Sequence, residues 1–407
     1  MSQPSQNTST SPMTTHQALL STVPAPLHGF RVLDFGQYIA APAAAQTLAD
    51  LGADVIKVEP PGGDASRRLG WARDDCGPMF SAYNRNKRSV VLDLRTPEGQ
   101  SLAQRLACSA DVVLANSRPG ALEKLGLGAD QLLAQAPRLI YGRVSAFGQT
   151  GPASIRAGFD IAAQAESGMM SLNGDADRDP VRVGFTVVDI LAAQSLATGV
   201  LAALVRRSVS GRGTLVELSL VDVAVAALAN AWAEYRQNGH MPIRRGNGQP
   251  TVAPAADVIE TRDGKVVLSA YMDDHFVRLC KTIGQPELAQ DPRFINNPSR
   301  VKHRAELMTV LKQALSQFDS DALVDMLAEG GIVAGAIRDM SQVHAGQAGV
   351  SEDLFVDMHA AGRDSISLPG LPINMEGICR QPGRLSALGE HTEEVLKELE
   401  TEIAGPR

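Results

Sequence analysis

Two aspartates stand close to helix starts, where a carboxylate can do chemistry. Asp189 lies between an apparent strand end and the alanine-rich helical pattern that begins at Ile190. The backbone N–H groups exposed at a helix start would keep this carboxylate ionised and would stabilise an oxyanion beside it. An aspartate here can equally be a simple N-cap. Asp160 is either part of a binding site or a structural carboxylate that receives backbone hydrogen bonds, and Gln164, one helical turn later, would share its face.

A short segment farther along the chain combines glycine with arginine. Gly246 and Gly248 flank Asn247, and Arg244 and Arg245 come directly before them. Glycine permits left-handed backbone and close approach, so the segment is either a loop that closes over a site or a simple turn. The two guanidinium groups either bind a carboxylate of a ligand or stay solvated on the surface.

Several common catalytic motifs are absent from the sequence. The residues after the first apolar run read Gly36-Gln37-Tyr38-Ile39-Ala40-Ala41-Pro42, which is not the G-x-G-x-x-G of a dinucleotide site. There is no G-x-x-x-x-G-K-[ST], no G-x-S-x-G and no H-E-x-x-H. The 4 cysteines form no C-x-x-C pair and the 8 histidines are scattered, so we expect no bound metal. An oxidoreductase on a dinucleotide-binding sheet is therefore weakly supported.

The elements that must position these residues alternate between short apolar runs and helical patterns. Strands are expected at residues 32–35, 54–59, 89–94, 111–116 and 139–146. Helices are expected at 97–107 with Thr96 as N-cap, at 129–136, at 190–205 and at 221–235. This alternation predicts an α/β fold with a large Rossmann-like domain, whose doubly wound parallel sheet binds ligands beyond the carboxyl ends of its strands.

Changes in composition divide the chain. Residues 1–26 are rich in Ser, Thr, Pro and Gln, and we expect a disordered N-terminal tail there. Residues 27–234 would form the first part of the large domain. A smaller α+β domain is expected at 235–335, where Asp263-Gly264 marks a hairpin turn, and 336–407 would return to the large domain.

Charge and hydropathy limit the classes of partner. The formal net charge is -7, which gives no general attraction to nucleic acid or to an anionic membrane. The longest apolar run is interrupted by Asp222 and Asn230, so we expect no membrane span. Residues 1–26 show neither a signal-peptide nor a transit-peptide pattern. With its scattered cysteines, the chain is expected to be cytoplasmic.

Eight segments, in order along the chain, resemble the class III CoA transferases. That family includes formyl-CoA transferase, carnitine CoA-transferase and the α-methylacyl-CoA racemases. Each segment alone is a weak match, but the ordered set covers nearly everything from Phe30 to Leu399. The segments are Val32-Leu33-Asp34 to Pro42, Leu51 to Glu59 (LGADVIKVE), Asn84 to Ser89 (NRNKRS), Asn116 to Gly120 (NSRPG), Gly158-Phe159-Asp160 with Gln164, Val188-Asp189, Arg245 to Gly248 (RGNG) and Leu388 to Thr392 (LGEHT).

The resemblance implies that Asp189 is the catalytic nucleophile. Its attack on an acyl-CoA thioester would give a mixed anhydride, which the CoA thiolate would convert into an aspartyl-CoA thioester that passes CoA to a second acid. No tightly bound cofactor is needed, and the substrates would be CoA thioesters and small carboxylic acids. Asp160 matches a second acidic position near the family's site. Gly246 and Gly248 match part of a longer glycine-rich loop that closes over that site in some relatives.

The resemblance also implicates residues that would hold the nucleotide and pyrophosphate of CoA. Arg67 and Arg68 stand nearby as phosphate partners, with a solvated surface charge as the alternative for each. Pro60 and Ala157 stand where some relatives present cations, so those two contacts would be missing. The implicated residues are Ile39, Ala40, Leu92, Arg95, Asn116, Ser117 and Lys124.

Two alternative functions share the expected fold. An α-methylacyl-CoA racemase moves a proton, and those relatives place a histidine immediately before the residue that matches Asp160. This chain has Phe159 there, and phenylalanine cannot exchange a proton. A CoA-binding subunit without chemistry of its own is the second alternative, against which the retained Asp189 counts.

The resemblance also bears on the acceptor and the assembly. Arg244 and Arg245 would favour a dicarboxylic acid as the acceptor. Because the family forms dimers of two interlocked rings, we expect a homodimer or a pair with a related chain.

Overall fold

The chain is divided into two compact units. The structure is a computed structural model that describes residues 23–71, 75–347, 349–351, 353–360, 364–378 and 382–404. The first unit comprises the described parts of Met1–Ser167, Gly184–Ala227 and Ser351–Arg407, and the second comprises those of Gly168–Val183 and Leu228–Val350. The tail expected at residues 1–26 lies outside the described residues as far as residue 22.

A six-stranded parallel sheet is the frame of the first unit. Its strands are β1 (Arg31–Asp34), β2 (Asp54–Glu59), β3 (Arg88–Val91), β4 (Val112–Ala115), β5 (Ile140–Ser145) and β6 (Thr214–Ser219). They lie in the order β3-β2-β1-β4-β5-β6, and every neighbouring pair is parallel. This is the order of a doubly wound sheet, in which the winding reverses between β1 and β4. Near-continuous apolar runs form these strands because both faces of a parallel sheet are covered.

Helices connect the strands of this sheet and also build much of the second unit. In chain order they are α1 (Ala40–Asp50), α2 (Pro78–Tyr83), α3 (Pro97–Ser109), α4 (Ala129–Gln135), α5 (Asp160–Glu166), α6 (Met169–Leu172), α7 (Val187–Ser210), α8 (Leu220–Ala227), α9 (Ala229–Asn238), α10 (Asp273–Thr282), α11 (Asn297–Lys302), α12 (Arg304–Leu315), α13 (Ser320–Glu329), α14 (Met340–His344) and α15 (Thr392–Ala404). The helices predicted at 97–107 and 129–136 are confirmed as α3 and α4.

The ends of the first helices follow from local sequence. Pro42 lies in the first turn of α1, where its missing N–H costs no intrahelical bond. The chain leaves α1 through Gly52, whose φ of 98° few other residues adopt. Thr96 caps α3, because its Oγ1 accepts a hydrogen bond of 3.1 Å from the N–H of Gly99.

The long helix α7 belongs to the core of the first unit. Its length and apolar composition would suffice to cross a membrane, a property that core helices of large soluble proteins share. One of its faces is buried, including Ala192, Leu196 and Val200, and it packs against α1 and β5. The helix begins at Val187, earlier than the predicted residue 190, and residues 181–186 before it form no strand. The strand end expected before Asp189 is therefore wrong.

The C-terminal segment lies against the sheet of the first unit. Strands β10 (Phe355–Ala360), β11 (Ile366–Pro369) and β12 (Gly383–Leu385) form a small sheet in the order β11-β10-β12. The N–H of His391 then donates to the carbonyl of Ser89 on β3 at 2.9 Å, and the Oγ1 of Thr392 accepts from the N–H of Val91 at 3.0 Å. The segment 388–392 therefore forms hydrogen bonds along β3, the edge strand of the sheet.

The second unit is built on an antiparallel sheet of β7 (Ala255–Glu260), β8 (Lys265–Ala270) and β9 (Val333–Ala336). The predicted hairpin turn at Asp263-Gly264 is confirmed, since the N–H of Thr261 donates to the carbonyl of Gly264 at 3.0 Å. Side chains from this sheet and from α10, α12 and α13 form a separate apolar core. Leu268, Phe276 and Leu311 are among its buried members.

The limits of the two units differ from the domain boundaries expected at 234/235 and 335/336. The second unit extends from Leu228 to Val350 and also takes in Gly168–Val183. The helix predicted over 221–235 is broken at Leu228, whose φ of -91° and ψ of 17° separate α8 from α9. Neither glycine nor proline marks this break, so the sequence carried no local signal for it.

Candidate active site

A groove of about 420 Å³ opens at the carboxyl ends of the central strands of the first unit. Such a volume lies in the usual range for a small-molecule site, and the winding of the sheet reverses here, between β1 and β4. Residues that follow β1, β4 and β5 form most of its wall, and Asp189 contributes from α7. The lining residues include Gln37, Tyr38, Ile39, Ala40, Asn116, Ser117, Arg118, Ser154, Arg156, Phe159 and Asp189.

The turn between β1 and α1, residues 36–42, forms one wall of the groove. Gly36 has no space for a side chain, because a Cβ there would lie 2.7 Å from the Oδ1 of Asp34 and from Cδ of Pro42. Tyr38 adopts a φ of 62°, a left-handed conformation that costs about 1–2 kcal/mol for a residue with a side chain. Its ring meets that of Phe159 edge to face at 5.6 Å. The turn is therefore held in a conformation that the backbone alone would not choose.

Asp189 is the third residue of α7 and lies partly buried at the groove. Burial and the nearby charge of Asp160 raise the pKa of its carboxyl from 3.8 to about 7. The pKa of Tyr83 is also raised, by burial and by the charge of Asp189, which places its phenol in the same electrostatic surroundings. The expectation that helix-start N–H groups keep Asp189 ionised is wrong, because those donors have another acceptor.

That acceptor is Asp160, the first residue of α5. Its Oδ2 accepts hydrogen bonds from the N–H of Val188 at 2.7 Å and from the N–H of Asp189 at 3.3 Å. Its Oδ1 accepts a hydrogen bond of 2.5 Å from the Nε2 of Gln164, which shares its helical face as predicted. Asp160 thus holds the start of α7 while it places a second negative charge beside Asp189.

Four of the residues implicated in CoA binding line the groove, and they come from two turns that are joined. Ile39 and Ala40 belong to the turn after β1, and Asn116 and Ser117 follow β4. The side chain of Asn116 binds both backbone groups of Gln37: its Oδ1 accepts from the N–H at 2.9 Å, and its Nδ2 donates to the carbonyl at 2.7 Å. The two walls are therefore fixed relative to each other.

Arg67 was expected to bind a phosphate group, and its contacts in the structure correct that expectation. Its guanidinium is 1% exposed and donates to both carboxylate oxygens of Glu59 at 2.7 Å, so it is a buried structural cation. Arg68 is exposed and pairs with Asp75 at 3.5 Å. Leu92, Arg95 and Lys124 do not line the groove, and the Arg95 guanidinium binds both oxygens of the Asp93 carboxylate at 2.8 Å.

Sequence reasoning missed two cations that do line the groove. Arg118 lies on the turn after β4 and forms no ion pair with another described residue. Arg156 stacks over the ring of Phe147, 4.5 Å from its centroid, and pairs with Glu166. Arg118 stands inside the NSRPG segment and Arg156 directly precedes Ala157, where a cation was expected to be missing. These two sequence positions were the signals that could have identified Arg118 and Arg156 as groove residues.

The glycine pair belongs to the second unit, whereas Asp189 belongs to the first. Gly246 has a φ of 57°, and its N–H donates to the carbonyl of Gly174 at 3.0 Å, so it forms a turn packed against a neighbouring segment. A Cβ at Gly248 would lie 2.3 Å from the Arg304 guanidinium. Arg244 donates to backbone carbonyls of Asp175 and Arg178 at 3.0 and 2.8 Å. The Arg244 guanidinium is thus hydrogen-bonded to the protein's own backbone.

The groove has a definite chemical character. Among the described residues, Asp189 is the only carboxylate in its lining, and Arg118 and Arg156 supply positive charge. No group of three or more His, Cys, Asp or Glu side chains in the described chain could hold a metal ion. The fold and the groove together are typical of an α/β enzyme with an anionic substrate, because two guanidinium groups and a carboxylate of raised basicity lie at the switch point of the sheet.

Comparison with known proteins identifies the family within this class. The model of CoA-transferase family III matches residues 27–392. The chain is 39% identical over 383 residues to succinyl-CoA–D-citramalate CoA-transferase of Chloroflexus aurantiacus, with 92% of this chain and 94% of that protein covered. It is 38% identical over 387 residues to succinate–glutarate CoA-transferase of Agrobacterium fabrum, with 92% and 96% covered. A CAIB/BAIF family crystal structure from Brucella suis superimposes with a TM-score of 0.82 at 35% identity, with 93% of this chain and 100% of that chain covered.

The chain belongs to CoA-transferase family III. It is an enzyme that transfers CoA between an acyl-CoA donor and a carboxylic acid acceptor, and its substrates are CoA thioesters. The resemblance stated from the eight sequence segments is confirmed.

Proposed function

We propose that CoA transfer proceeds through covalent intermediates on Asp189. The carboxylate attacks the thioester carbonyl of the donor, the CoA thiolate leaves, and a mixed anhydride of Asp189 and the acyl group forms. The thiolate attacks the aspartyl carbonyl of this anhydride, which releases the donor acid and leaves an aspartyl-CoA thioester. The acceptor carboxylate then attacks that thioester, and the thiolate attacks the acceptor carbonyl of the second anhydride. The products are the new acyl-CoA and the free carboxylate of Asp189.

One observation carries this proposal: in the described part of the chain, Asp189 is the only carboxylate that faces the groove. Its pKa of about 7 makes it a stronger base, and therefore a stronger nucleophile once ionised, than an ordinary aspartate. Near neutral pH both protonation states are populated, so the nucleophilic form is available.

Asp160 serves as a positioning residue in this proposal. Its carboxylate binds the N–H of Val188 and of Asp189, so the first turn of α7 cannot rotate away from α5 without breaking two hydrogen bonds. Its charge also supplies part of the upward shift in the pKa of Asp189. Asp160 therefore sets both the place and the basicity of the nucleophile.

Arg118 would bind a phosphate group of CoA, and Arg156, whose guanidinium already pairs with Glu166, would add positive charge beside it. Both guanidinium groups are exposed in the groove wall, and guanidinium is suited to bidentate binding of phosphate oxygens. Ile39 and Ala40 would contact the pantetheine arm through the turn after β1. This assignment replaces Arg67, whose guanidinium is bound to Glu59.

The proposed acceptor is a small dicarboxylic acid, with succinyl-CoA as the donor. The names of two relatives support this, since one uses succinyl-CoA with D-citramalate and the other acts on succinate and glutarate. Arg244 and Arg245 lose support as carboxylate ligands. The first is bound to backbone carbonyls, and the second lies 3.8 Å from the carboxylate of Glu234.

Racemisation is less well supported than transfer. Proton abstraction on both faces of a substrate needs two exchangeable groups. Phe159, which lines the groove directly before Asp160, offers none, and no histidine occurs among the described lining residues. A CoA-binding subunit without chemistry would have no need of a partly buried carboxylate with a raised pKa.

We further propose a homodimer. The outer face of α7 carries Val205 and Val209, whose side chains are 70% and 89% exposed in the isolated chain. These two valines, one helical turn apart, form an exposed apolar patch that a partner chain would cover.

Replacement of Asp189 tests the proposed function. We expect Asp189→Asn to lose at least about a thousandfold in kcat with succinyl-CoA and glutarate, because the amide cannot form the anhydride. Binding of CoA, measured by calorimetry, should remain within about threefold of the parent protein, since the groove wall is unchanged. Turnover retained by a correctly folded Asp189→Asn variant would exclude Asp189 as the nucleophile.

A further inference from the structure

Six charged side chains are buried together beneath the turn of residues 36–42. Three are acids and three are bases, so the cluster carries no formal net charge, and none is more than 3% exposed. Removing an ion from water is unfavourable, and well-packed apolar residues often stabilise a core equally well. A stabilising role alone therefore does not explain the cluster. Its members are Asp34, Lys57, Glu59, Asp64, Arg67 and Lys87.

Lys87 fastens the far end of the turn. Its Nζ donates to the carbonyl of Pro42 at 2.8 Å, to the Oδ2 of Asp34 at 2.9 Å and to the Oδ1 of Asn84 at 2.9 Å. These three bonds use every donor of the ammonium group. The position of Pro42 is therefore tied to the end of β1 through a single side chain.

Lys57 and Asp34 fasten the near end of the turn. The Nζ of Lys57 donates to the carbonyl of Gly36 at 2.8 Å and lies 2.9 Å from the Oδ2 of Asp64. The Oδ1 of Asp34 accepts a hydrogen bond of 2.7 Å from the N–H of Gly36. Both backbone groups of Gly36 thus bind buried charged side chains.

The residues between these two attachments line the groove. They include Tyr38, whose left-handed backbone needs a restraint to persist. Ile39 and Ala40 follow it and present backbone and side chain to the same space. The cluster therefore acts on a segment that the proposed function assigns to the pantetheine arm of CoA.

We propose that Lys57 and Lys87 are positioning residues of the transfer reaction, which hold residues 36–42 in the conformation that binds the acyl-CoA. The proposal rests on the proposed function, because it takes the groove as the CoA site. A turn ordered in advance loses no entropy when the ligand binds, so these lysines lower the KM for acyl-CoA. They contact no reacting atom and have little effect on kcat.

Arg207 provides a matched control. It is also a buried cation, and its guanidinium binds the carboxylate of Asp111 at 2.8 Å and the carbonyl of Arg138 at 3.0 Å. These partners precede β4 and β5 and so lie at the amino ends of the strands, whereas the groove lies at the carboxyl ends. Arg207→Met should lower the melting temperature as a lysine variant does, without an effect on the turn.

The expected result is a separation of KM from stability. Lys87→Met should raise the KM for succinyl-CoA about tenfold or more while kcat changes less than about threefold, and Arg207→Met should leave KM unchanged. The double variant Asp34→Asn/Lys87→Met removes the unpaired buried charge. It should regain most of the lost melting temperature and keep the raised KM, because the carbonyl of Pro42 stays free.

A second measurement covers variants that fold poorly. Hydrogen exchange followed by mass spectrometry should show faster exchange in the peptide containing residues 36–42 for Lys57→Met than for Arg207→Met at equal loss of melting temperature. The proposal would be overturned if the KM of the double variant returned to the parent value together with its stability. It would also be overturned if this peptide exchanged equally fast in Lys57→Met and Arg207→Met. Both readouts are independent of the intermediate on Asp189, so failure of that chemistry would show separately as retained turnover in Asp189→Asn.

Discussion

At the scale of single residues, two carboxylates lie at the start of α7, and only one of them accepts hydrogen bonds from its N–H groups. Asp160 takes the N–H groups of Val188 and Asp189, and Asp189 is left with partial burial and a neighbouring negative charge. The resemblance of the sequence predicted that both residues matter. The position of Asp189 at a helix start predicted the wrong electrostatics for it. Which acceptor binds a helix-start N–H depends on contact between α5 and α7, which no local pattern encodes.

The pH dependence of the reaction should report the raised pKa of Asp189. With a pKa of about 7, the nucleophilic carboxylate is lost as the pH falls below that value. We expect kcat/KM for succinyl-CoA to fall about tenfold per pH unit on the acid side and to reach a plateau above pH 8. Asp160→Asn removes the neighbouring charge and should move this limb to lower pH. A profile that stays flat down to pH 5 would contradict the assignment.

The same pKa predicts a gain in stability when the nucleophile is removed. Because the pKa is raised in the folded protein, the unfolded chain loses its proton first, and the folded state is progressively disfavoured as the pH rises from about 4 to 7. Asp189→Asn should therefore raise the free energy of unfolding at pH 8 by up to about 4 kcal/mol and have little effect near pH 4. Chemical denaturation at the two pH values measures this difference. Equal effects at both would show that Asp189 is not electrostatically disfavoured.

At the scale of elements, the turns after β1 and β4 make the groove, and these are the parts that the sequence placed best. Strand positions followed from apolar runs, and parallel order followed from the alternation with helices. The order reversal between β1 and β4 then fixes where the carboxyl ends leave a crevice. Ile39 and Asn116, which the resemblance implicated, lie in these two turns and line the groove.

The sequence predicted which cations face the groove less well than it predicted the turns, and the reason is physical. Arg67 and Arg118 look alike in sequence, yet Arg67 is buried on Glu59 and Arg118 faces the groove. The difference lies in whether a buried carboxylate is within reach, which depends on the three-dimensional contact of β2 with the 3₁₀ turn at Ala65–Arg67. Spacing along the chain does not reveal it.

The groove cations give a prediction at this scale. Arg118→Gln should raise the KM for succinyl-CoA about tenfold or more and leave the KM for the acid acceptor unchanged, because the guanidinium would bind a phosphate of CoA. Arg95→Gln is the matched control, since Arg95 is equally a surface arginine but binds Asp93 outside the groove. Equal effects of the two substitutions would exclude Arg118 as a phosphate ligand.

At the scale of the whole molecule, the chain forms two units, and the C-terminal segment packs on the sheet of the first. The second unit takes in residues 168–183, between the two helices that carry Asp160 and Asp189. Neither this excursion nor the break at Leu228 has a signal in composition, because both depend on which core a segment joins rather than on its own residues.

Assembly is the prediction that belongs to this scale. The parent protein should sediment as a homodimer. Val205→Asp/Val209→Asp should give a smaller fraction of dimer when the chains assemble on refolding, because charges on the exposed face of α7 oppose its burial. Val333→Asp, at a valine 68% exposed in the second unit, is the control and should remain dimeric. An undiminished fraction of dimer in the α7 variant would place the interface elsewhere.

The most direct test of the account is to trap CoA on the enzyme. The protein is incubated with succinyl-CoA without an acceptor and then treated with hydroxylamine or borohydride, and its peptides are examined by mass spectrometry. A hydroxamate or an alcohol is expected at Asp189 in the parent protein, dependent on succinyl-CoA and absent in Asp189→Asn. An enzyme that turns over but yields no modification at Asp189, or yields it at another carboxylate, would contradict the account.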